Sequence, residues 1–101
     1  MKGRRLHPDE NGWFNQKLEP GDYVKVDPQR MADGSPLADW VRKKYPMWLC
    51  CSPNGHAANL QRHTVVEHED GTITVSPSIL ISDNTGELWH GYLERGVYRS
   101  C

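Results

Sequence analysis

The residues best suited to chemistry in this chain lie in one short run, residues 50–56, which reads Cys-Cys-Ser-Pro-Asn-Gly-His. Zinc takes four ligands from cysteine thiolates and neutral imidazoles, and small domains often supply the first two from a tight turn. Cys51 and His56 have suitable types and spacing for such a turn. His90 and Cys101, far downstream, could supply the second pair. The sequence therefore predicts a candidate zinc site whose spacing matches no established zinc motif, with the ligands Cys51, His56, His90 and Cys101.

The second pair of ligands depends on the register of the last predicted hairpin. A three-residue loop with glycine in the left-handed position, which we favour, places His90 opposite Ser100 and turns Cys101 to the other face. A two-residue turn at Arg95-Gly96 would instead place His90 directly across from Cys101. Arg-Gly is a weaker signal for that turn than Asn-Gly, so the register separates the second pair unless the hairpin departs from this prediction.

The cysteines of this run have two further interpretations. As structural residues, Cys50 and Cys51 alternate faces at a strand end, one packed and one exposed, while Asn54-Gly55 turns the chain. As a catalytic residue, Cys51 with a histidine base would form a minimal nucleophilic pair. A chain of 101 residues leaves little room for a substrate cleft, and no phosphate loop or His-Glu-x-x-His motif is present. We therefore predict no catalytic residue.

Length and charge narrow the class of protein. A chain of 101 residues is the size of one domain with one core. Twelve Lys and Arg against thirteen Asp and Glu give a net charge of -1, so contact with nucleic acid would need a local basic patch. Runs this short are more often solvated surface, so a nucleic-acid partner is not favoured. The candidate phosphate contacts are Lys2, Arg4, Arg5, Arg42, Lys43 and Lys44.

The first residues of the sequence do not resemble a targeting signal. Met1 to Arg5 is followed by polar residues and not by an apolar run, so we expect no secretory signal, and no stretch is long enough to cross a bilayer. Three cysteines, two of them adjacent, do not suggest a disulfide framework. We expect a cytoplasmic protein with no membrane partner.

The elements that must position these residues are predicted mainly as short strands. Residues 1–17 are polar and broken by turn signals, so we predict an N-terminal arm followed by a single β-rich domain over residues 18–101. Tyr and Val alternate with charged residues over 22–26, which predicts the first strand. Ser35-Pro36 is typical of a helix start, and it predicts a helix over about 36–44 with Trp40 in the core.

The second half of the chain is predicted to form a meander of strands. For the hairpin at Asp70-Gly71 we favour a two-residue turn, which pairs Val66 with Val75; a three-residue turn would place Glu67 on the apolar face. Pro77 must interrupt a ladder because it has no N–H to donate. The expected fold is a small α+β domain, an antiparallel meander of about five short strands with one short helix.

Ordered motifs in the second half carry a resemblance. They are Cys51-Ser52-Pro53-Asn54-Gly55-His56, Asp70-Gly71, Ser76-Pro77-Ser78-Ile79 and Trp89-His90-Gly91 ahead of Gly96. In type and order this pattern resembles an uncharacterised family of small phage and prophage proteins, some of which are labelled ammonia monooxygenase. Members with a Cys-x-x-Cys turn look like zinc binders. Here Asn54 stands where the second cysteine would be, and His56 could substitute for it.

The resemblance implies a mobile-element origin and a bacterial host cell. Together with an aromatic-rich composition, it favours a non-enzymatic accessory protein that binds a host or phage protein, with countering a host defence as its purpose. The aromatic residues predicted as exposed anchors are Trp13, Phe14 and Tyr98, and the alternative is that the arm covers one sheet edge. The alternative function is a zinc-stabilised nucleic-acid-binding module, and a third is a thiol or metal hydrolase dependent on Cys51.

Overall fold

Two four-stranded sheets and one short helix build the fold in a computed structural model that describes residues 1–101. The elements in chain order are β1 Arg4–Leu6, β2 Asp22–Val26, α1 Asp39–Lys44, β3 Met47–Cys51, β4 Ala57–Asn59, β5 Thr64–Glu67, β6 Ile73–Asp83, β7 Gly86–Glu94 and β8 Val97–Ser100. The predicted strand over 22–26 is confirmed, although it is the second strand of the chain.

The strand order differs between the sheets. Sheet 1 has the order β1-β2-β3-β4, in which β1 runs parallel to β2 and the other neighbours are antiparallel. Sheet 2 has the order β5-β6-β7-β8 and is an antiparallel meander throughout. A small β-rich domain with one short helix is therefore confirmed. The prediction of about five strands in one antiparallel meander is wrong, because the first half of the chain forms a sheet of its own.

The main core lies between the two sheets. Residues of β2, β3, β6, β7 and β8 meet there, as expected for sheets packed face to face. Trp89 and Tyr98 contact edge to face, with ring centroids 6.1 Å apart. The buried residues of this core are Tyr23, Cys50, Leu60, Ile73, Val75, Ile79, Ile81, Trp89, Leu93 and Tyr98.

A second buried layer covers the opposite face of sheet 1. Val24, Val26 and Met47 alternate with the residues of the main core, and all three are buried. The chain segments available to cover them are residues 7–21 and 27–46, which include Val41 of α1 with no exposed surface. The face of sheet 2 that points away from sheet 1 has no such layer, and we call it the outer face.

The predicted arm is tied into both sheets through its first residues. Arg4–Leu6 pairs with β2, whereas Lys2 bridges to Val97 at the edge of β8. The N–H of Gly3 donates to the carbonyl of Gly96 over 2.7 Å. Residues 1–6 therefore link the edges of the two sheets.

The helix is shorter than predicted and turns a different face inward. It begins after Ala38, whose extended backbone is the N-cap, so Ser35 and Pro36 lie outside it. Val41 is its one buried residue, and Trp40, predicted in the core, is 58% exposed. Because the helix begins at Asp39, about one turn later than predicted, Leu37 lies outside it and cannot share a helical face with Trp40. No helix in the structure is long and apolar enough to cross a membrane.

Both predicted hairpin turns have the other length. At Asp70-Gly71 the loop has three residues, because Glu67 pairs with Ile73 and the His68 N–H donates to Thr72 O over 2.8 Å. Gly71 takes the left-handed conformation, with φ of 85°, that this turn needs.

The last hairpin has the two-residue turn Arg95-Gly96, in which both residues have positive φ. This is a type I′ turn, whose twist matches the flanking strands. The predicted interruption at Pro77 is confirmed as a register shift between Val75 and Ile79 within one continuous strand, β6.

Candidate functional site

The segment around Cys51 folds as a tight loop between β3 and β4. The Ser52 N–H donates to the carbonyl of His56 over 2.8 Å, and the buried Ser52 hydroxyl accepts the His56 N–H over 3.0 Å. Gly55 has φ of 93°, in the region that favours glycine. Asn54 donates its side-chain N–H to Leu88 O on β7 over 2.9 Å, so hydrogen bonds anchor this loop to sheet 2.

Both cysteines of the run are buried. Cys50 faces the main core and Cys51 the opposite side of sheet 1, and each is 1% exposed, so the prediction that one of them is exposed is wrong. Burial, with the neighbouring thiol, raises the pKa of Cys50 to about 12 against a smaller opposing effect of the nearby Tyr98 hydroxyl. Burial also raises the pKa of Cys51, and the charges of Asp22 and Glu19 add to the increase. Neither thiol is therefore activated as a nucleophile.

The other two zinc candidates are neighbours on sheet 2. Because the last hairpin has a two-residue turn, His90 lies across from Cys101, whose N–H donates to His90 O over 3.0 Å. His90 faces outward from sheet 2, whereas Cys51 faces outward from sheet 1, so the thickness of the sandwich separates them. No three His, Cys, Asp or Glu side chains are arranged to hold a metal ion, and the four candidates do not fit one zinc site.

The His90 ring has a different set of partners. Its Nε2 lies 2.9 Å from Ser78 Oγ, and its Nδ1 lies 3.8 Å from Glu87 Oε1. Serine, histidine and a carboxylate are the residue types of a hydrolase triad, but 3.8 Å is too long for the hydrogen bond that orients the base. The pairing with Ser78, across the register shift in β6, was not visible in the sequence. Its observed effect is to hold the imidazole on the outer face.

The N-terminal cations are engaged within the domain. Arg4 donates to both carboxylate oxygens of the buried Asp22 over 3.0 and 3.1 Å. Arg5 lies 2.7 Å from Glu67 and also donates to Gly71 O. The remaining candidate phosphate contacts, Lys2, Arg42, Lys43 and Lys44, are exposed and form no ion pair, with the last three in the final turn of α1.

The three predicted aromatic anchors are not exposed. Tyr98 is 2% exposed in the main core. Trp13 is half-buried, because its ring packs edge to face on Tyr45 and its Nε1–H donates to Arg30 O over 2.7 Å. Phe14 is half-buried as well. These residues belong to the packing of the domain, and the aromatic residues that are exposed are Trp40 and Tyr92.

The outer face of sheet 2 carries the exposed apolar residues that the sequence analysis did not select. Leu80 is 55% exposed, Tyr92 41% and Val97 42%, and Val66 on the edge strand is 50% exposed. Cross-strand pairing of Leu80 with His90 and of Tyr92 with Arg99 puts these side chains on one surface. The Arg99 guanidinium covers the Tyr92 ring at 5.6 Å. The observed register was needed to find this surface.

A depression of about 560 Å³ lies at one end of the outer face. Its lining is Val66, His68, Thr74, Glu94, Arg95 and Arg99. Arg99 is paired with Glu94, whereas Arg95 forms no ion pair, although its charge contributes to the lowered pKa of the nearby Asp70. Arg95 also has φ of 47°, a left-handed conformation that costs asparagine or glycine less free energy than it costs arginine. The depression therefore combines an apolar edge with one unpaired cation.

Comparison with protein-family models, curated proteins and solved structures finds no match to this chain. The resemblance based on residues 51–96 accordingly stays a prediction.

Proposed function

We propose that this protein is a non-enzymatic binding domain that docks a protein partner on the outer face of sheet 2. The observation that carries the proposal is the exposure of Leu80, Tyr92 and Val97 together on the uncovered face of a sandwich. Exposed apolar side chains grouped on one sheet face are typical of protein interfaces, and aromatic residues contribute much of their binding energy.

The charges of the same face indicate the chemistry of the partner. Arg95 is an unpaired cation at the rim of a depression that also contains Val66 and Thr74. A partner side chain with an apolar body and a nearby carboxylate would complement this arrangement. Arg99 contributes less to the attraction of a partner carboxylate, because Glu94 already neutralises its charge. We therefore propose a partner segment in which an aliphatic or aromatic residue stands next to Asp or Glu.

The resemblance to phage and prophage proteins extends the proposal to the source of the partner. On that ground we propose a host or phage protein as the partner and interference with a host defence as the purpose. Buried thiols with raised pKa values support a binding role over nucleophilic catalysis.

The test is binding of one purified partner to matched surface variants. Candidates are captured from bacterial lysate, purified, and titrated by calorimetry against the wild type, the double variant Leu80→Ser/Tyr92→Ser, and Trp40→Ser. Trp40 is the matched control, because it is 58% exposed on the opposite side of the molecule. We expect the double variant to weaken binding at least tenfold and Trp40→Ser to leave it unchanged.

The opposite pattern would reject the outer face as the docking surface. A loss confined to Trp40→Ser would move the interface to α1. Capture of nucleic acid, with affinity that falls steeply with salt and depends on Arg42, Lys43 and Lys44, would favour the nucleic-acid module instead.

A further inference from the structure

β5 differs from the other edge strands in having a free edge of useful length. The edge of β8 is occupied by the N-terminal residues, since the Tyr98 N–H donates to Met1 O over 2.8 Å and Lys2 bridges to Val97. In sheet 1, the edge strands β1 and β4 have three residues each. β5 has four residues, Thr-Val-Val-Glu, and pairs on one side with β6 alone.

Several of the usual devices that protect an edge strand are missing from β5. It contains no proline, lysine or bulge. Its one charged residue, Glu67, points inward and is neutralised by Arg5 at 2.7 Å and Lys25 at 3.6 Å. An inward charge that is already paired does little to repel another strand.

The register identifies which backbone groups of β5 are free. The His68 N–H donates to Thr72 O, so the hydrogen-bonded pairs with β6 continue at Val66 and Thr64. The N–H and C=O groups of Val65 and Glu67 therefore point away from β6. No other backbone group in the chain bonds to them.

We propose that β5 pairs antiparallel with β5 of a second copy of this chain. The register that uses only free groups places Val65 opposite Glu67 of the other copy, with about four backbone hydrogen bonds in total. Val66 then faces its own symmetry mate across the two-fold axis, in a close non-hydrogen-bonded pair on the outer face. Val66 is half-exposed and lies at the centre of this edge. In an isologous contact the same residues of the two copies meet, so Val66 can pack against Val66 of the other copy.

The contact is small, and its size sets the expected affinity. Three residues of each β5, Val65 to Glu67, pair in this register and extend over about 10 Å, so the interface falls well below the standard size of about 800 Å² per partner. We expect a weak dimer that is populated toward the upper end of a concentration range of about 1 to 500 μM. Pairing would join the two copies of sheet 2 into one continuous sheet and bring their outer faces side by side.

Charge complementation at Val66 provides the test. Sedimentation equilibrium is measured over about 1 to 500 μM for the wild type, Val66→Lys, Val66→Glu, an equimolar mixture of the two, and Leu80→Lys. Val66 is 50% exposed and Leu80 55%, so circular dichroism should report a native fold for each variant.

The wild type and Leu80→Lys should dimerise, whereas each Val66 variant alone should have at least a tenfold higher dissociation constant because like charges would face each other. The equimolar mixture should restore the dimer. Amide exchange at Val65 and Glu67 should also slow with concentration.

A wild type that is monomeric throughout the concentration range would overturn the proposal. So would a dimer that Leu80→Lys abolishes and the Val66 variants do not, because that dimer would use the centre of the outer face.

Discussion

Glu67 Oε2 on β5 lies 2.7 Å from Nη1 of Arg5 on β1, so this ion pair joins the two sheets. Arg5 also donates to Gly71 O over 3.0 Å, and its guanidinium lies 5.1 Å from the centroid of the Trp48 ring. The hydrogen bond from Arg5 holds the pKa of Glu67 below its usual value against the opposing effect of burial, and Lys25 adds to the decrease. This cluster fixes one rim of the sandwich.

Replacing Glu67 with Gln should destabilise the domain, because it removes the charge that faces Arg5 across the sheets. The expected loss in free energy of unfolding is about 1 kcal/mol or less, since the Glu67 side chain is 41% exposed and solvent screens the pair. Urea denaturation measures it. Glu94→Gln, which breaks the fully surface pair with Arg99, is the control and should have a smaller effect; equal losses would contradict a role for Glu67 between the sheets.

Acid should weaken the domain through Asp22, which is 2% exposed. Burial would raise its pKa, but hydrogen bonds from Arg4 and the Glu19 N–H, with the charge of Arg4, bring it below the usual value. A lowered folded pKa gives stability that is present above the unfolded pKa, near 3.9, and is lost as pH falls through the folded pKa. Asp22→Asn should therefore cost about 1–3 kcal/mol at neutral pH and flatten the acid limb of the stability curve.

The measurement for Asp22 is urea denaturation between about pH 2 and 7. Glu10→Gln makes the same charge change at an exposed residue that forms no ion pair. If the free energy of unfolding falls with pH in Asp22→Asn and Glu10→Gln as steeply as in the wild type, Asp22 is not the source of the acid sensitivity.

Arg95→Asn should stabilise the domain, because asparagine tolerates the positive φ of 47° at this turn better than arginine does. The expected gain is about 1 kcal/mol. The same variant removes the unpaired cation from the depression, so binding of the proposed partner should weaken. Thermal unfolding and calorimetric titration measure the two effects, and a variant that gains stability but keeps full affinity would remove Arg95 from the docking surface.

Thiol labelling should separate the three cysteines. Cys101 is exposed, whereas Cys50 and Cys51 are buried and their pKa values are raised. We expect one thiol per chain to react quickly with Ellman's reagent in native buffer, and all three after denaturation. Cys101→Ser should abolish the fast phase, and a second fast thiol in native protein would show that Cys51 is accessible.

Local patterns in the sequence predicted the strand over residues 22–26 and the interruption at Pro77, because alternation and a missing N–H act within a few residues. The two turn lengths were predicted wrongly for a different reason. The left-handed preference of Gly71 and Gly96 fits either loop length, and the choice depends on the neighbours that each register brings together. For β5 the deciding contact is Glu67 with Arg5, which is 62 positions earlier in the chain.

The candidate site was less predictable than the fold. Trp40 and Tyr98 were assigned to the wrong environments, because exposure of an aromatic residue depends on which sheet face another layer covers. The outer face combines residues from several strands. The spacing of these residues in the sequence does not reveal which of them share the face or how exposed they are. The zinc prediction grouped residues by type, whereas the two sheets separate Cys51 from His90.

The link between Gly3 and Gly96 has a consequence for synthesis of the chain. During translation, β1 and its neighbours leave the ribosome long before β8 exists, so the edge that Lys2 and Gly3 occupy is the last to be made. Such distant pairings carry a high entropic cost of loop closure, and they slow folding. Sheet 1 can start to assemble early, but the sandwich can close only after β8 has left the ribosome, and until then sheet 2 does not fully cover the apolar face of sheet 1.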